Sequence, residues 1–440
     1  MTRVSWNETA PLASLEPHEA WLPVEHPLHR PRHGGRQFTA LLCAAVFFAV
    51  PVLALGLGAR PAEFENRRLA PFPSVLDGWG FFGGLGAWAN DHVPFRDAAV
   101  HGADWASRDL FGESAPFAVE PPKTHAPFVP PAPQEPDSSN ADEQPPTIAG
   151  FPKVIEGKDD WLYYGLDVQG KCQPSRELDQ VIDSLKRLRA VVEASGREFI
   201  LVVPPDKSTA VPQYLPDSYA GQRCARPVTE RFWTRITGEV GATDLREDLS
   251  NAARDDGRPP YYKLDTHWTD RGAALMVERL AEEIQPGVTS GWKLEEKRTT
   301  QYSADLPTLL GRSGVNDVQL YSLAPDGERD RTRQSETDLE SPRALRSTPG
   351  EGMVTARTAI LADSYTLPAT RYLSATFTDL DLVFFSTLNS NANAVLDMLV
   401  DQDVIVVEAV ERNLTSGIAS VTDPGIVDLI GRKLAANPRR

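Results

Sequence analysis

Thr358-Ala359-Ile360-Leu361-Ala362-Asp363-Ser364-Tyr365 is an apolar run that stops abruptly at Asp-Ser. A short continuous apolar run closed by a polar turn reads as a strand buried on both faces, the kind found in parallel sheets covered by helices. The same logic extends in both directions from it. Upstream, Leu178, Val181, Ile182, Leu185, Leu188 and Val192 recur at helical spacing, and after Gly196 the pattern switches to the continuous run Phe199 to Val203. Helix-then-strand alternation continues through Val228 to Val240 and Arg271 to Ile284, then beyond the serine through Leu382 to Phe385 and Val404 to Val410. Val154 to Tyr164 opens the region as two strands around a Gly157-Lys158-Asp159 turn. Together these predict an α/β domain over residues 149–440, a mostly parallel sheet flanked by helices. No internal repeat is present, so a solenoid or propeller is not expected.

The rest of the chain bounds the roles open to such a domain. With 440 residues and 41% apolar side chains, there is material for a large core and for appendages. A formal charge of -16 disfavours nucleic acid as a partner, because phosphate binding needs a basic surface. Residues Phe38 to Gly58 carry no charge, and 21 residues at about 1.5 Å each span the roughly 30 Å of a bilayer core. Arg30, Arg32 and Arg36 precede this stretch with no acidic neighbour, so the positive-inside rule keeps the N-terminus cytoplasmic and exports the chain beyond Arg60. A cleaved signal peptide is the alternative, disfavoured by the length of the apolar run and the polar residues ahead of it. The expected order is a cytoplasmic tail over 1–35, a transmembrane anchor over 36–59, a membrane-proximal module over 60–115, a Pro-rich linker over 116–148 and the main domain. Cys43 falls in the anchor, leaving Cys172 and Cys224 as an expected disulfide in an oxidising space. No Cys-x-x-Cys spacing points to zinc or redox chemistry.

Two segments could carry chemistry. In Tyr262-Lys263-Leu264-Asp265-Thr266-His267-Trp268-Thr269-Asp270, Asp265 and His267 are two apart, so an extended backbone sends both side chains to one face and the carboxylate can orient the imidazole. Thr269 is a good N-cap for the helix beginning after it. Alone, Asp-x-His reads first as a satisfied structural histidine or a metal ligand and only second as part of a triad, but no third or fourth ligand at suitable spacing is visible, and no metal is expected. In the other segment, Ser364 stands at a strand's C-terminal end, where a hydroxyl projects and backbone N–H groups can receive an oxyanion. Alone, Asp-Ser at a strand end is usually just a turn or helix cap.

Taken together, the two segments resemble the SGNH hydrolases, and the Asp-Thr-His-Trp block lying before the serine is similar to the alginate O-acetyltransferase family of AlgJ- and AlgX-like proteins. Further similarities are Glu65-Asn66-Arg67 to Pro73, Phe95-Arg96-Asp97, Glu156-Gly157-Lys158 to Tyr164, Val203-Pro204-Pro205-Asp206-Lys207, Tyr214-Leu215-Pro216, Ala304-Asp305-Leu306 and Glu408 to Arg412. Ala362 stands where many members have Gly, and the Pro-rich insert is not a family hallmark. The resemblance implies an SGNH hydrolase-like fold and an Asp265, His267, Ser364 triad that moves acetyl groups onto an exported polysaccharide. It implies no cofactor, and a multi-spanning membrane acyltransferase as acetyl supplier. Trp268 and Tyr365 flank the site and are candidates to stack on sugar, although such rings more often pack in the core or at its rim, and Lys207 reads as a solvated loop lysine. A carbohydrate acetylesterase with the same triad and a non-catalytic glycan-binding scaffold are the other two readings; the scaffold predicts that the three residues do not converge.

Overall fold

The computed structural model describes residues 35–57, 72–74, 81, 84–85, 88, 92 and 151–439. The expected tail before Gly35, most of the membrane-proximal module and all of the Pro-rich linker lie outside the described residues. The chain divides into two units, residues 1–63 with 67–98, and residues 64–66 with 99–440.

In the first unit, Gly35–Gly56 is a helix of 22 residues. Its described side chains form an unbroken run from Phe38 to Val50, with Phe38, Phe47 and Phe48 all more than 70% exposed. Among the described residues no helix is long and apolar enough to cross a membrane. The expected transmembrane helix is therefore not found there. Further along, the His92 ring stacks on Trp88 at 4.7 Å.

In the second unit, six strands form one sheet in the order β4 (Thr243–Asp244), β3 (Glu198–Val203), β10 (Val404–Glu408), β8 (Thr358–Ala362), β9 (Asp379–Phe384) and β7 (Arg343–Arg346). All neighbours are parallel except β7, which runs antiparallel along the edge. Alternation along the strands builds two cores. Phe199, Leu201 and Val203, with Ala359, Leu361, Ile405 and Val407, face the helices Leu178–Glu193, Thr387–Val400 and Pro424–Ala435. Ile200, Val202, Ile360, Ala362, Val404 and Val406 face the other way, toward the helices Asp270–Ile284 and Thr366–Thr376. Burial on both faces explains why these strands read as continuous apolar runs; each fully buried Leu or Ile contributes about 1.5–3 kcal/mol.

Two antiparallel pairs lie outside the sheet. Val154–Glu156 (β1) and Leu162–Tyr164 (β2) form the expected opening hairpin. Lys293–Ser303 (β5) and Val315–Ala324 (β6) form a long one that the apolar pattern did not announce. Because β3, β8 and β10 are parallel, the segments after them, Pro204 to Lys207, Asp363 to Tyr365 and Ala409 to Arg412, emerge at one edge of the sheet, where α/β proteins place their sites.

Candidate active site

Ser364 stands on the turn that joins β8 to the helix Thr366–Thr376. The turn is fixed by the side chain before it: Asp363 is buried, and its carboxylate accepts from Tyr365 N at 3.0 Å, Val410 N at 2.8 Å and Asn413 Nδ2 at 2.9 Å. The Asp363 N–H donates to Glu408 Oε2 at 3.1 Å, and Thr366 Oγ1 donates to the same oxygen at 2.7 Å. Burial and the adjacent Asp363 carboxylate push the Glu408 carboxyl well above its ordinary range. Ala362, where a Gly was common, ends β8 with its methyl packed in the core. The Ser364 N–H has no hydrogen-bond partner among the described residues.

The histidine comes from a loop rather than the extended segment that was expected. Tyr261 and Trp268 pair as an isolated antiparallel bridge, and the chain between them turns. Asp265 and His267 meet because Asp265 Oδ1 accepts from both His267 N at 3.0 Å and His267 Nδ1 at 2.8 Å, the local ring an Asx side chain makes with the residue two ahead. A carboxylate can only accept, so Nδ1 carries the proton and Nε2 is left facing Ser364 Oγ, 2.9 Å away. Thr269 then caps the helix Asp270–Ile284, accepting from Gly272 N.

Other residues complete this loop. Asp265 Oδ2 accepts from Asp305 N at 3.2 Å and Asn316 Nδ2 at 3.1 Å. Asp305 accepts from Thr266 N at 2.9 Å and from Thr266 Oγ1, and its Oδ2 lies 3.7 Å from His267 Nδ1. Burial opposes charge on His267, but the hydrogen bond and charge of Asp265, with Asp305 adding to them, hold the imidazole up at about 9. Burial also opposes charge on Asp265, yet His267 keeps that carboxyl below its ordinary range. Asp305 is pushed up to about 6 by burial and by the Asp265 carboxylate. Asp305 was marked in the sequence only by resemblance, and Asn316 carried no signal.

Asp265, His267 and Asp305 are the one group of acidic and imidazole side chains among the described residues that could hold a metal ion, their ligand atoms lying within 4.8 Å of one another. Each carboxylate oxygen in the group already takes a hydrogen bond, so a cation would have to displace donors that position the imidazole.

Three expectations about neighbouring residues are corrected. Trp268 and Tyr365 are each 0% exposed, so neither offers a ring face to a sugar. They brace the site instead: Trp268 Nε1 donates to Tyr365 O at 3.1 Å, and Tyr365 Oη donates to Thr266 O at 2.6 Å while accepting from Arg412 Nη1 at 3.2 Å. These bonds tie the serine turn to the histidine loop. Lys207 is not solvated but 1% exposed, its Nζ donating only to main-chain carbonyls. Below lies a buried ionic cluster in which Lys171 pairs with Asp206 at 2.8 Å and with Glu411 at 2.6 Å. Cys172 and Cys224 form a disulfide across 52 residues. A cavity of about 230 Å³ backs the histidine loop, lined by Trp161, Tyr261, Tyr262, Lys263 and Tyr321 among others, and reaches neither His267 nor Ser364.

Residues 154–347 match the SGNH hydrolase-like domain described as acetyltransferase AlgX, a segment that includes Asp265 and His267 and ends before Ser364. The chain is 27% identical over 233 residues to the probable alginate O-acetylase AlgJ of Pseudomonas aeruginosa, covering 49% of this chain and 56% of that one. It is 25% identical over 167 residues to the AlgJ of Pseudomonas syringae pv. tomato, covering 37% of this chain; the match spans only 42% of that relative's length. Among solved structures it is similar to the O-acetyltransferase domain of Pseudomonas putida AlgJ, with a TM-score of 0.42 at 18% identity over 63% of this chain and 98% of that one. Residues 154–347 are therefore similar to the SGNH hydrolase-like domains of AlgJ- and AlgX-like proteins, and the chain spans about half the length of the curated relatives it matches.

Proposed function

We propose that this protein is a membrane-anchored, extracytoplasmic O-acetyltransferase that moves acetyl groups onto an exported polysaccharide through an acetyl-serine. The observation that carries the reading is the line of hydrogen bonds from Asp265 through His267 to Ser364, at 2.8 and 2.9 Å, in a chain similar over part of its length to probable alginate O-acetylases. Convergence of the three side chains is what the scaffold reading did not expect.

In the mechanism, Ser364 Oγ attacks the carbonyl carbon of an acetyl donor as its proton passes to His267 Nε2, while Asp265 holds the ring and stabilises the imidazolium. The tetrahedral oxyanion takes the Ser364 N–H as one donor. Collapse expels the leaving group, which receives the proton from Nε2, and leaves acetyl-serine. A sugar hydroxyl then gives its proton to Nε2 and attacks the acetyl carbon, and collapse releases Ser364 Oγ, which takes the proton back from Nε2. A single anchor offers no path for an acyl donor across the bilayer, so a multi-spanning membrane acyltransferase is the proposed supplier. Anchoring is supported by the uncharged stretch Phe38 to Gly58 and by the exposed Phe38, Phe47 and Phe48. Under this reading, residues 1–35 are the cytoplasmic tail, 36–59 the anchor, 60–115 a membrane-proximal module, 116–148 a linker and 149–440 the catalytic domain.

The test is single-turnover reaction of the full chain, in detergent, with a chromogenic acetyl ester, beside Ser364→Ala and with or without an oligosaccharide acceptor. Mass spectrometry should find acetyl on Ser364 in the wild type and none in the variant, with acceptor capturing the acetyl. Release to water alone would make the protein an esterase. Absence of serine-dependent acetylation in folded protein would remove both readings.

A further inference from the structure

Lys207 follows β3 by four residues and is buried as completely as the core leucines, yet among the described residues no carboxylate pairs with it. Its Nζ donates to Leu162 O at 2.6 Å, Lys263 O at 2.9 Å and Asp265 O at 3.0 Å. The remaining walls are aromatic: Nζ lies 4.9 Å from the Trp161 ring centre and 5.3 Å from that of Tyr163. One nitrogen thus joins three pieces of chain: the end of β3, strand β2, and the loop that carries Asp265 and His267. An ammonium has three donors and no acceptor, which fits three carbonyl oxygens. A neutral amine would serve two of them and turn its lone pair on the third.

We infer that Lys207 is a positioning residue for the acyl-transfer reaction: its ammonium pins the Asp265 main chain to the β1–β2 hairpin and so sets the distance from Asp265 to His267 and from His267 to Ser364. The role rests on the proposed function, because it acts through the triad and touches no reacting atom. The side chain of Asp265 is held by Asp305 N and Asn316 Nδ2, but its own carbonyl is held by Lys207 Nζ. Without that bond, the loop between Tyr261 and Trp268 keeps its two ends and the bonds at Thr266 to Tyr365 and Asp305, and loses the hold on the Asp265 carbonyl. Burial pulls the lysine down to about 7, the charges of Asp265, Asp305 and Asp167 act to keep its proton, and the three carbonyls take up the donors of the ammonium.

The experiment compares the full chain carrying Lys207→Met, which keeps length and removes every donor, with Lys207→Gln, which restores two. Four quantities are measured: melting temperature, kcat and KM for acetyl-serine turnover, and the titration of the His267 ring by NMR. Positioning predicts that folded Lys207→Met loses roughly 10- to 100-fold in kcat with KM within about threefold. It also predicts a downward shift of the His267 titration, since Asp265 no longer grips Nδ1, and partial recovery of both in Lys207→Gln. An unchanged kcat and an unchanged His267 titration in folded Lys207→Met would overturn the inference and leave a stabilising lysine only, as would collapse of both variants. If wild type has no Ser364-dependent turnover, the proposed function fails, while the His267 titration still decides whether Lys207 sets the loop.

Discussion

At the scale of single residues, His267 is pulled two ways. A general base must be unprotonated at Nε2, but Asp265 and Asp305 hold the ring protonated up to about 9. At pH 7 only about one ring in a hundred is then ready to take the serine proton, so kcat/KM of the free enzyme should climb with pH along a limb centred near 9 and level off above it. Stability should run the other way. The folded value lies above the unfolded value of about 6.5, so the favourable contribution is complete below that pH and is lost as pH rises through about 9. Rate and melting temperature measured across pH 5.5 to 10 would check both slopes. An activity limb centred near 6.5 would mean that the carboxylates do not act on the ring as described. Asp265, His267 and Ser364 were legible because each stands in a short pattern with a chemical meaning. Asp305 and Asn316 reach the site from positions 40 and 51 residues beyond Asp265, and single polar residues at such distances leave no local trace. Lys207 was misread for a related reason: a lysine after a strand is solvated unless the fold supplies acceptors, and its three carbonyls come from elsewhere in the chain.

At the scale of elements, the serine turn depends on the meeting of two parallel strands. Asp363 at the end of β8 accepts from Val410 N and Asn413 Nδ2 beyond the end of β10, so the turn is fixed only when β10 is in register beside β8. Asp363→Asn keeps the shape but turns one oxygen into an N–H donor among N–H donors. Wherever that amide group points, at least one bond is lost and two donors face each other, at a cost of about 1–3 kcal/mol for a buried group. The expected outcome is a melting temperature lower by several degrees together with slower Ser364 acetylation; a variant as stable and as fast as wild type would show that Asp363 does not hold the turn. The buried strands β3, β8 and β10 announced themselves as apolar runs because both faces are covered. The β5–β6 hairpin did not, because β5 is exposed along almost its whole length and its sequence, Lys293 to Ser303, is mostly charged and polar. The pairing that makes it a strand comes from β6, which lies across a gap in the sequence, so no periodicity within β5 could report it. The histidine loop misled in a milder way. Spacing two apart places Asp265 and His267 on one side of an extended strand, and it equally suits a turn closed by the aspartate itself.

At the scale of the whole molecule, composition and covalent chemistry bear on where the site works. A net charge of -16 weighs against an acidic polymer wrapping freely over the surface, so an anionic acceptor such as a uronate chain would have to be drawn in by local cations. The Cys172–Cys224 disulfide persists in an oxidising compartment, which fits export of the domain past the apolar stretch Phe38 to Gly58. The proposed anchor has a direct test. Membranes from cells making the full chain, and from cells making a variant in which residues 38–58 are replaced by a cleavable secretory signal, are washed with alkaline carbonate, which strips peripheral proteins and leaves integral ones. An apolar helix of about 20 residues is held by the bilayer independently of surface charge, so the full chain should stay with the pellet and the variant should appear in the wash, still able to acetylate Ser364. Release of the full chain under the same wash would remove the anchor from the proposal and leave the catalytic reading standing. Retention of both would place the membrane contact elsewhere, beyond residue 60, and would make the exposed phenylalanines of the helix Gly35–Gly56 irrelevant to it.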